Sequence, residues 1–247
     1  MTKSKLEICA ATPLSVIAAA EGGADRVELC SALSEGGVTP SAAFISFAVE
    51  RIPTHVLIRP RCGDFYYNAA EKEVMINDIC QAHNLGAKGI AIGALTVDGK
   101  IDREFMRRVM VASSGMSVTF HRAFDMVKDA DSALEDVISL GCRRVLTSGL
   151  SATAEEGIGK LHELVGQANG RIIVMPASGV CPENVVSILS QTGAVEIHAS
   201  ASKTIGSQMI WKGGKASMGN PDADEFSWKE TSLETVRLLR RAIDGMG

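Results

Sequence analysis

Three short segments of the chain set a carboxylate inside an apolar run: Leu6-Glu7-Ile8-Cys9, Val27-Glu28-Leu29-Cys30 and Val195-Glu196-Ile197-His198. Read as β-strands they alternate faces, so the aliphatic side chains point one way and each Glu points the other, together with Cys9, Cys30 or His198. A carboxylate turned into a protein interior is costly unless paired, and a perturbed protonation state is what acid–base chemistry needs. Glu7, Glu28 and Glu196 are therefore candidate catalytic acids or bases. The same facing offers a second chemistry. Thiols and imidazole are soft ligands that suit Cu(I) or zinc, which makes Cys9 and Cys30, beside His198, candidate metal ligands.

Groups that could serve these carboxylates lie elsewhere. Val56-Leu57-Ile58-Arg59-Pro60-Arg61 carries Arg59 and Arg61 two positions apart, on one strand face. A guanidinium pairs bidentately with a carboxylate or an anion, so both are expected to face the glutamates or a ligand. Thr119-Phe120-His121-Arg122-Ala123-Phe124-Asp125 adds His121 and Asp125 as candidate catalytic groups, with Arg122 as an anion ligand. Ser148-Gly149 and Ser178-Gly179 end two later strands in small residues, where barrels hold phosphate. Arg59, Arg61, Arg122, Ser148, Ser178, Gly179 and His198 thus form the candidate substrate-binding set, and the ligand they describe is a small phosphorylated or carboxylated anion. Each feature also has a plain structural counterpart: an ion network that packs a core, a Ser-Gly turn, a cysteine that packs as a small hydrophobe.

The elements that must position these residues recur along the chain. Strands are predicted at 6–10, 26–30, 55–61, 89–95, 117–123, 144–149, 172–178 and 195–200, starting about 27 residues apart, near the ~30 residues of a strand–helix unit. Helices are predicted between them, at 13–21, 41–50, 71–84, 102–112, 130–140, 154–168 and 182–190, with a last one at 233–242. Four helix ends run into a glycine before the next strand, at Gly23, Gly86, Gly141 and Gly193, the usual left-handed stop. Eight such units in 247 residues predict an α/β chain forming one (β/α)8 TIM-like barrel over 1–247, with the first and last strands adjacent. The stretch 202–229, rich in Gly, Ser, Lys and Asp, breaks the rhythm and is predicted to be a long loop before the last helix, as a lid, a dimer contact or a free surface loop.

Composition narrows the function. The chain is 46% hydrophobic and carries a net charge of −4, without a basic cluster, and only 4% of it is aromatic, which argues against nucleic acid. No apolar run approaches the ~18 residues of a membrane span. Six cysteines without a C-x-x-C pair point to a reducing, cytoplasmic setting. No lysine lies within a strand core, which disfavours Schiff-base chemistry, with Lys203 just past the eighth strand as the one exception. G-x-S-x-G, Walker and H-E-x-x-H motifs are absent.

Several blocks together resemble the CutC family: Gly23-Ala24-Asp25-Arg26-Val27-Glu28-Leu29-Cys30, Gly36-Gly37-Val38-Thr39-Pro40-Ser41, Ile58-Arg59-Pro60-Arg61-Cys62-Gly63-Asp64-Phe65, Thr119 to Asp125 and Arg144-Val145-Leu146-Thr147-Ser148-Gly149. The resemblance implies a cytoplasmic (β/α)8 barrel, often an oligomer and here expected as a homodimer, named for copper homeostasis, with copper as the implied metal and no agreed reaction. Two functions are carried forward. One is copper binding at Cys9, Cys30 or His198. The other is acid–base catalysis on a small anionic metabolite.

Overall fold

The computed structural model describes residues 4–211 and 224–246. Strands and helices alternate as β1 (Lys5–Ala10), α1 (Pro13–Gly22), β2 (Arg26–Leu29), α2 (Ala42–Val49), β3 (Thr54–Leu57), α3 (Ala69–Asn84), β4 (Gly89–Ile92), α4 (Arg103–Ala112), β5 (Ser117–Phe120), α5 (Ala130–Leu140), β6 (Arg144–Thr147), α6 (Ile158–Ala168), β7 (Ile173–Pro176), α7 (Val185–Thr192) and β8 (Glu196–Ala199). A hairpin, β9 (Ser202–Gly206) and β10 (Ser227–Thr231), precedes α8 (Leu233–Asp244). Every neighbouring pair from β1 to β7 is parallel, and β8 returns to pair with β1. β7 and β8 lie side by side without a hydrogen-bonded ladder, so the barrel is nearly closed, as the strand–helix rhythm predicts.

Local chemistry explains the elements. In α1, Thr12 caps the first turn by accepting from the Ser15 N–H, Pro13 opens the helix, and Gly23 closes it in the left-handed region. Asn68 and Glu71 form a reciprocal capping box on α3. Between barrel and helices, aliphatic strand residues such as Ile8, Val27, Val56, Ile90 and Val145 are fully buried against the helix layer. Each stabilises the fold by roughly 1.5–3 kcal/mol. The barrel interior holds the polar face: Glu7, Arg26, Glu28, His55, Arg144, Glu196 and His198 are all buried.

Several predicted boundaries move, three of them for a clear local reason. The barrel strands after β1 are four residues long, and the third ends at Leu57 rather than Arg61, because the Arg59 N–H bonds the Thr39 hydroxyl at 2.9 Å and leaves the ladder. The seventh helix starts at Val185, since Asn184 Oδ1 accepts from the Cys181 N–H at 2.9 Å and makes a turn of the expected first residues. The expected loop at 202–229 is a ribbon at both described ends, with Ser202 paired to Thr231 and Gly206 to Ser227. Its middle, which includes Met218, lies outside the described residues.

Candidate functional site

Strand stagger decides what the interior side chains meet. In the β1–β2 ladder Glu7 is level with Arg26, and Cys9 with Glu28. In the β8–β1 ladder Glu196 is level with Lys5, and His198 with Glu7. The three glutamates therefore occupy three heights, Glu196 lowest and Glu28 highest, and do not form one wall. The shear of a closed barrel is the cause.

The lower two are consumed by an ion network. Glu196 takes a bidentate pair from Arg144, at 2.6 and 3.1 Å, and a bond from Arg26 Nη2 at 2.5 Å. Arg26 Nε binds Glu7 Oε2, and the other Glu7 oxygen lies 2.8 Å from His198 Nδ1. Burial alone would raise the Glu7 pKa, but the Arg26 charge and the His198 hydrogen bond hold it well below the usual carboxylate range. Glu196 is lowered against its burial by Arg144 and Arg26 in the same way. Both sit beneath the pocket rather than on its wall. The cations that pair the glutamates are thus Arg26 and Arg144, not the expected Arg59 and Arg61. The signal was present: Arg26 precedes Glu28 by two, on the same strand face, and Arg144 opens the sixth strand.

Above this network a pocket of about 660 Å³ opens at the C-terminal end of the barrel. Cys9, Glu28, Cys30 and His198 are at its base, with His121, Phe65 and Arg59 on the β3–β5 side and Ser178, Gly179 and Ser200 on the β7–β8 side. Arg122, Asp125 and, from β10, Lys229 also line it. The Cys9 and Cys30 sulfurs are 3.7 Å apart and unbridged. One ligand atom each from Cys9, Glu28 and His198 lies within 4.8 Å of the others, and all three residues are buried. The Cys30 contact and burial push the Cys9 thiol well above its ordinary pKa. Glu28 Oε2 is buried without a hydrogen-bond partner among the described residues, and burial, opposed by His198, pushes the Glu28 pKa up to about 7. His198 is buried, which alone would lower its pKa, but the Glu7 hydrogen bond and the Glu28 and Glu7 charges raise it.

His121 is held in one tautomer. Its Nδ1 accepts from the Ala123 N–H at 3.1 Å, so the neutral ring carries its proton on Nε2, and that atom is buried with no hydrogen-bond partner among the described residues. Burial and then Arg59 push its pKa down to about 3, so the ring is neutral at physiological pH. Gly93 makes room for it: a Cβ there would lie 2.7 Å from His121 Nδ1.

The other predicted residues have structural contacts. Arg59 lines the pocket, yet its guanidinium donates to the carbonyls of Glu35, Gly37 and Gly63 at 2.8–3.0 Å. Arg61 points outward to Glu71 Oε1 at 2.6 Å and Asp64 Oδ1 at 3.1 Å, because the chain bends at Pro60 and strand alternation has already ended. Asp125 ties two loops together, taking the Arg122 Nε at 2.7 Å, the Ser148 N–H at 3.0 Å and the Thr147 hydroxyl. The Ser148 hydroxyl donates to the Ser151 carbonyl at 2.6 Å and is not on the pocket wall. His55, Lys229 and Phe65 are contributors to the interior or the pocket wall that the sequence reading did not single out. His55 had a strand signal, being an inward polar residue at the start of the third strand.

The model of the CutC family matches residues 4–203. A CutC family protein from Chromobacterium violaceum is 46% identical over 241 residues, covering 97% of this chain and 98% of that one. The Homo sapiens copper homeostasis protein cutC homolog is 46% identical over 237 residues, covering 95% of this chain and 87% of that one. Among solved structures, CutC from Streptococcus agalactiae matches with a TM-score of 0.77 at 33% identity, covering 80% of this chain and 98% of that one. With the family model spanning most of the sequence and these relatives aligned along nearly all of it, the chain belongs to the CutC family.

Proposed function

We propose that this protein binds copper(I) at the floor of the barrel pocket, as its part in the copper homeostasis for which its relatives are named. The observation that carries this reading is the unbridged pair of Cys9 and Cys30 sulfurs 3.7 Å apart, with His198 beside Cys9. The donors suit the ion: Cys9 and Cys30 supply soft thiols, Cys9 and His198 converge within 4.8 Å together with Glu28, and a buried, partly apolar cavity protects a monovalent copper from water and oxidation. Glu7 fixes the His198 ring through Nδ1 and leaves Nε2 as the ligand atom. The Cys9 thiol is protonated in the free protein, so copper uptake releases a proton.

The test is competition between the reduced protein and a Cu(I) chelator. One equivalent of Cu(I) is expected to bind, and Cys9→Ser with Cys30→Ser together abolish it. Stoichiometric binding that survives loss of both thiols would sink the reading. Sulfur X-ray absorption distinguishes thiolate ligation from adventitious binding.

A second reading, acid–base catalysis on a small organic anion, is favoured by Glu28. Its unpartnered Oε2 and its pKa of about 7 suit a group that gains and loses a proton at neutral pH. We further assign the protein to the cytoplasm, where its six unpaired cysteines stay reduced. The exposed Met209, Ile210, Trp211 and Trp228 on and beside the ribbon are read as the contact of a homodimer, a mass checked by light scattering.

A further inference from the structure

A pocket of about 660 Å³ is far larger than a bare copper ion requires and lies in the size range of small-molecule sites. Its wall is not uniform. At the β7–β8 side, Ser178, Gly179 and Val180 line it, and their three backbone N–H groups donate to no acceptor among the described residues. Two cations line the same pocket. Arg122 lines the pocket with its Nε on Asp125 and its Nη2 on the Ser148 hydroxyl at 3.1 Å, which leaves Nη1 unused. Lys229 is brought over the rim by the ribbon, touches only the Thr204 hydroxyl through Nζ at 2.9 Å, and has no carboxylate partner among the described residues. Across the pocket, the buried Glu28 Oε2 and His121 Nε2 have no hydrogen-bond partner among the described residues, an unfavourable state that a polar ligand would relieve. Both facts describe a wall built to meet a polar ligand. Between these polar ends the lining is apolar, through Leu33, Leu57, Phe65 and Leu146.

We propose that the pocket binds a small organic phosphate, with the phosphate held at the ends of β7 and β8 by the free N–H groups of Ser178–Val180 and by Arg122 and Lys229, and the carbon body lying toward Glu28 and His121. A phosphate presents three terminal oxygens to donors converging from two loops and a ribbon, whereas a carboxylate presents two. Phosphate is therefore the class the donors fit. This subsite lies in the pocket of the acid–base reading and names its substrate class, but it needs no proton transfer and neither thiol.

The test is calorimetric titration of the reduced, copper-free protein with glycerol 3-phosphate, glycerate and glycerol. Glycerol 3-phosphate is expected to bind saturably and glycerol not at all. Lys229→Gln, at an exposed ribbon position, should weaken binding by about 10-fold without lowering thermal stability, and Arg122→Gln by at least as much, the loss of one charge-assisted contact. Cys9→Ser with Cys30→Ser should leave glycerol 3-phosphate binding unchanged, which separates this inference from the copper reading. In Glu28→Gln the preference for glycerol 3-phosphate over glycerate should persist, because the phosphate subsite lies across the pocket from Glu28, which separates this inference from the acid–base reading. Absence of saturable binding, equal affinity for glycerate, or full affinity in both Lys229→Gln and Arg122→Gln would each overturn it.

Discussion

Glu7, Glu28 and Glu196 share one local pattern and have two fates. Two are locked to arginines, and one keeps a buried oxygen without a hydrogen-bond partner among the described residues, at the base of a pocket. This difference predicts opposite mutational signs. Removing Arg26 in Arg26→Met strips a cation from both Glu7 and Glu196; Glu196 keeps Arg144, but Glu7 keeps only its histidine neighbours. A loss of about 3–5 kcal/mol is expected, read by urea denaturation. Glu28 behaves the other way. Its pKa of about 7 lies above its ordinary 4.5, so the folded state keeps a proton that the unfolded state releases. That contribution to stability is complete below pH 4.5 and is lost as the pH rises through about 7. Glu28→Gln cannot lose it. The variant should gain on the wild type across this window, by on the order of 1–3 kcal/mol, and stability curves that stay parallel with pH would refute the assignment.

At the scale of elements, the strand–helix order was legible because hydrophobic period, proline starts and glycine stops are local signals. The capping box on α3 is a local signal that the sequence reading passed over, starting the helix at Glu71 instead of Ala69, and Asn68→Ala should cost about 1 kcal/mol in a thermal melt, with the pocket unaffected. Strand ends were less legible. Arg61 continues the alternation of the third strand on paper, but Thr39, twenty residues before Arg59, captures the backbone and ends the ladder. The ribbon was missed for the reverse reason: polar, glycine-rich sequence reads as loop, and its pairing of Ser202 with Thr231 bridges a long separation. Close packing between elements was equally hidden. Gly93 looks like an ordinary strand glycine, yet Gly93→Ala would press a methyl against the His121 ring and the Ala123 Cβ, 2.9 Å away. A loss of about 1–3 kcal/mol, with His121 displaced in the NMR spectrum, is expected.

At the scale of the molecule, the closed sheet gathers β8, β1 and β2 side by side, and its stagger sorts their side chains by height. Closure is incomplete at one seam, where β7 and β8 touch without ladder bonds. Backbone amides that face the seam have no ladder partner across it, so hydrogen exchange at those positions of β7 and β8 should precede that in β2 to β5; equal protection around the barrel would contradict an unladdered seam. The seam also leaves the free N–H groups of Ser178–Val180 at the pocket edge, next to the ribbon that carries Lys229.

The sequence by itself determined the barrel, the inward facing of the Glu, Cys and His residues on strands one, two and eight, and the family, because each depends on local period or on contiguous motifs. It did not decide which carboxylate would be paired, which arginine would pair it, or whether Cys9 and Cys30 would meet. Those depend on the relative height of neighbouring strands, a property of closure that no single strand encodes. Only the tertiary structure joined Arg26 to Glu7 and Glu196, set two sulfurs 3.7 Å apart, and left Glu28 and His121 facing a shared cavity.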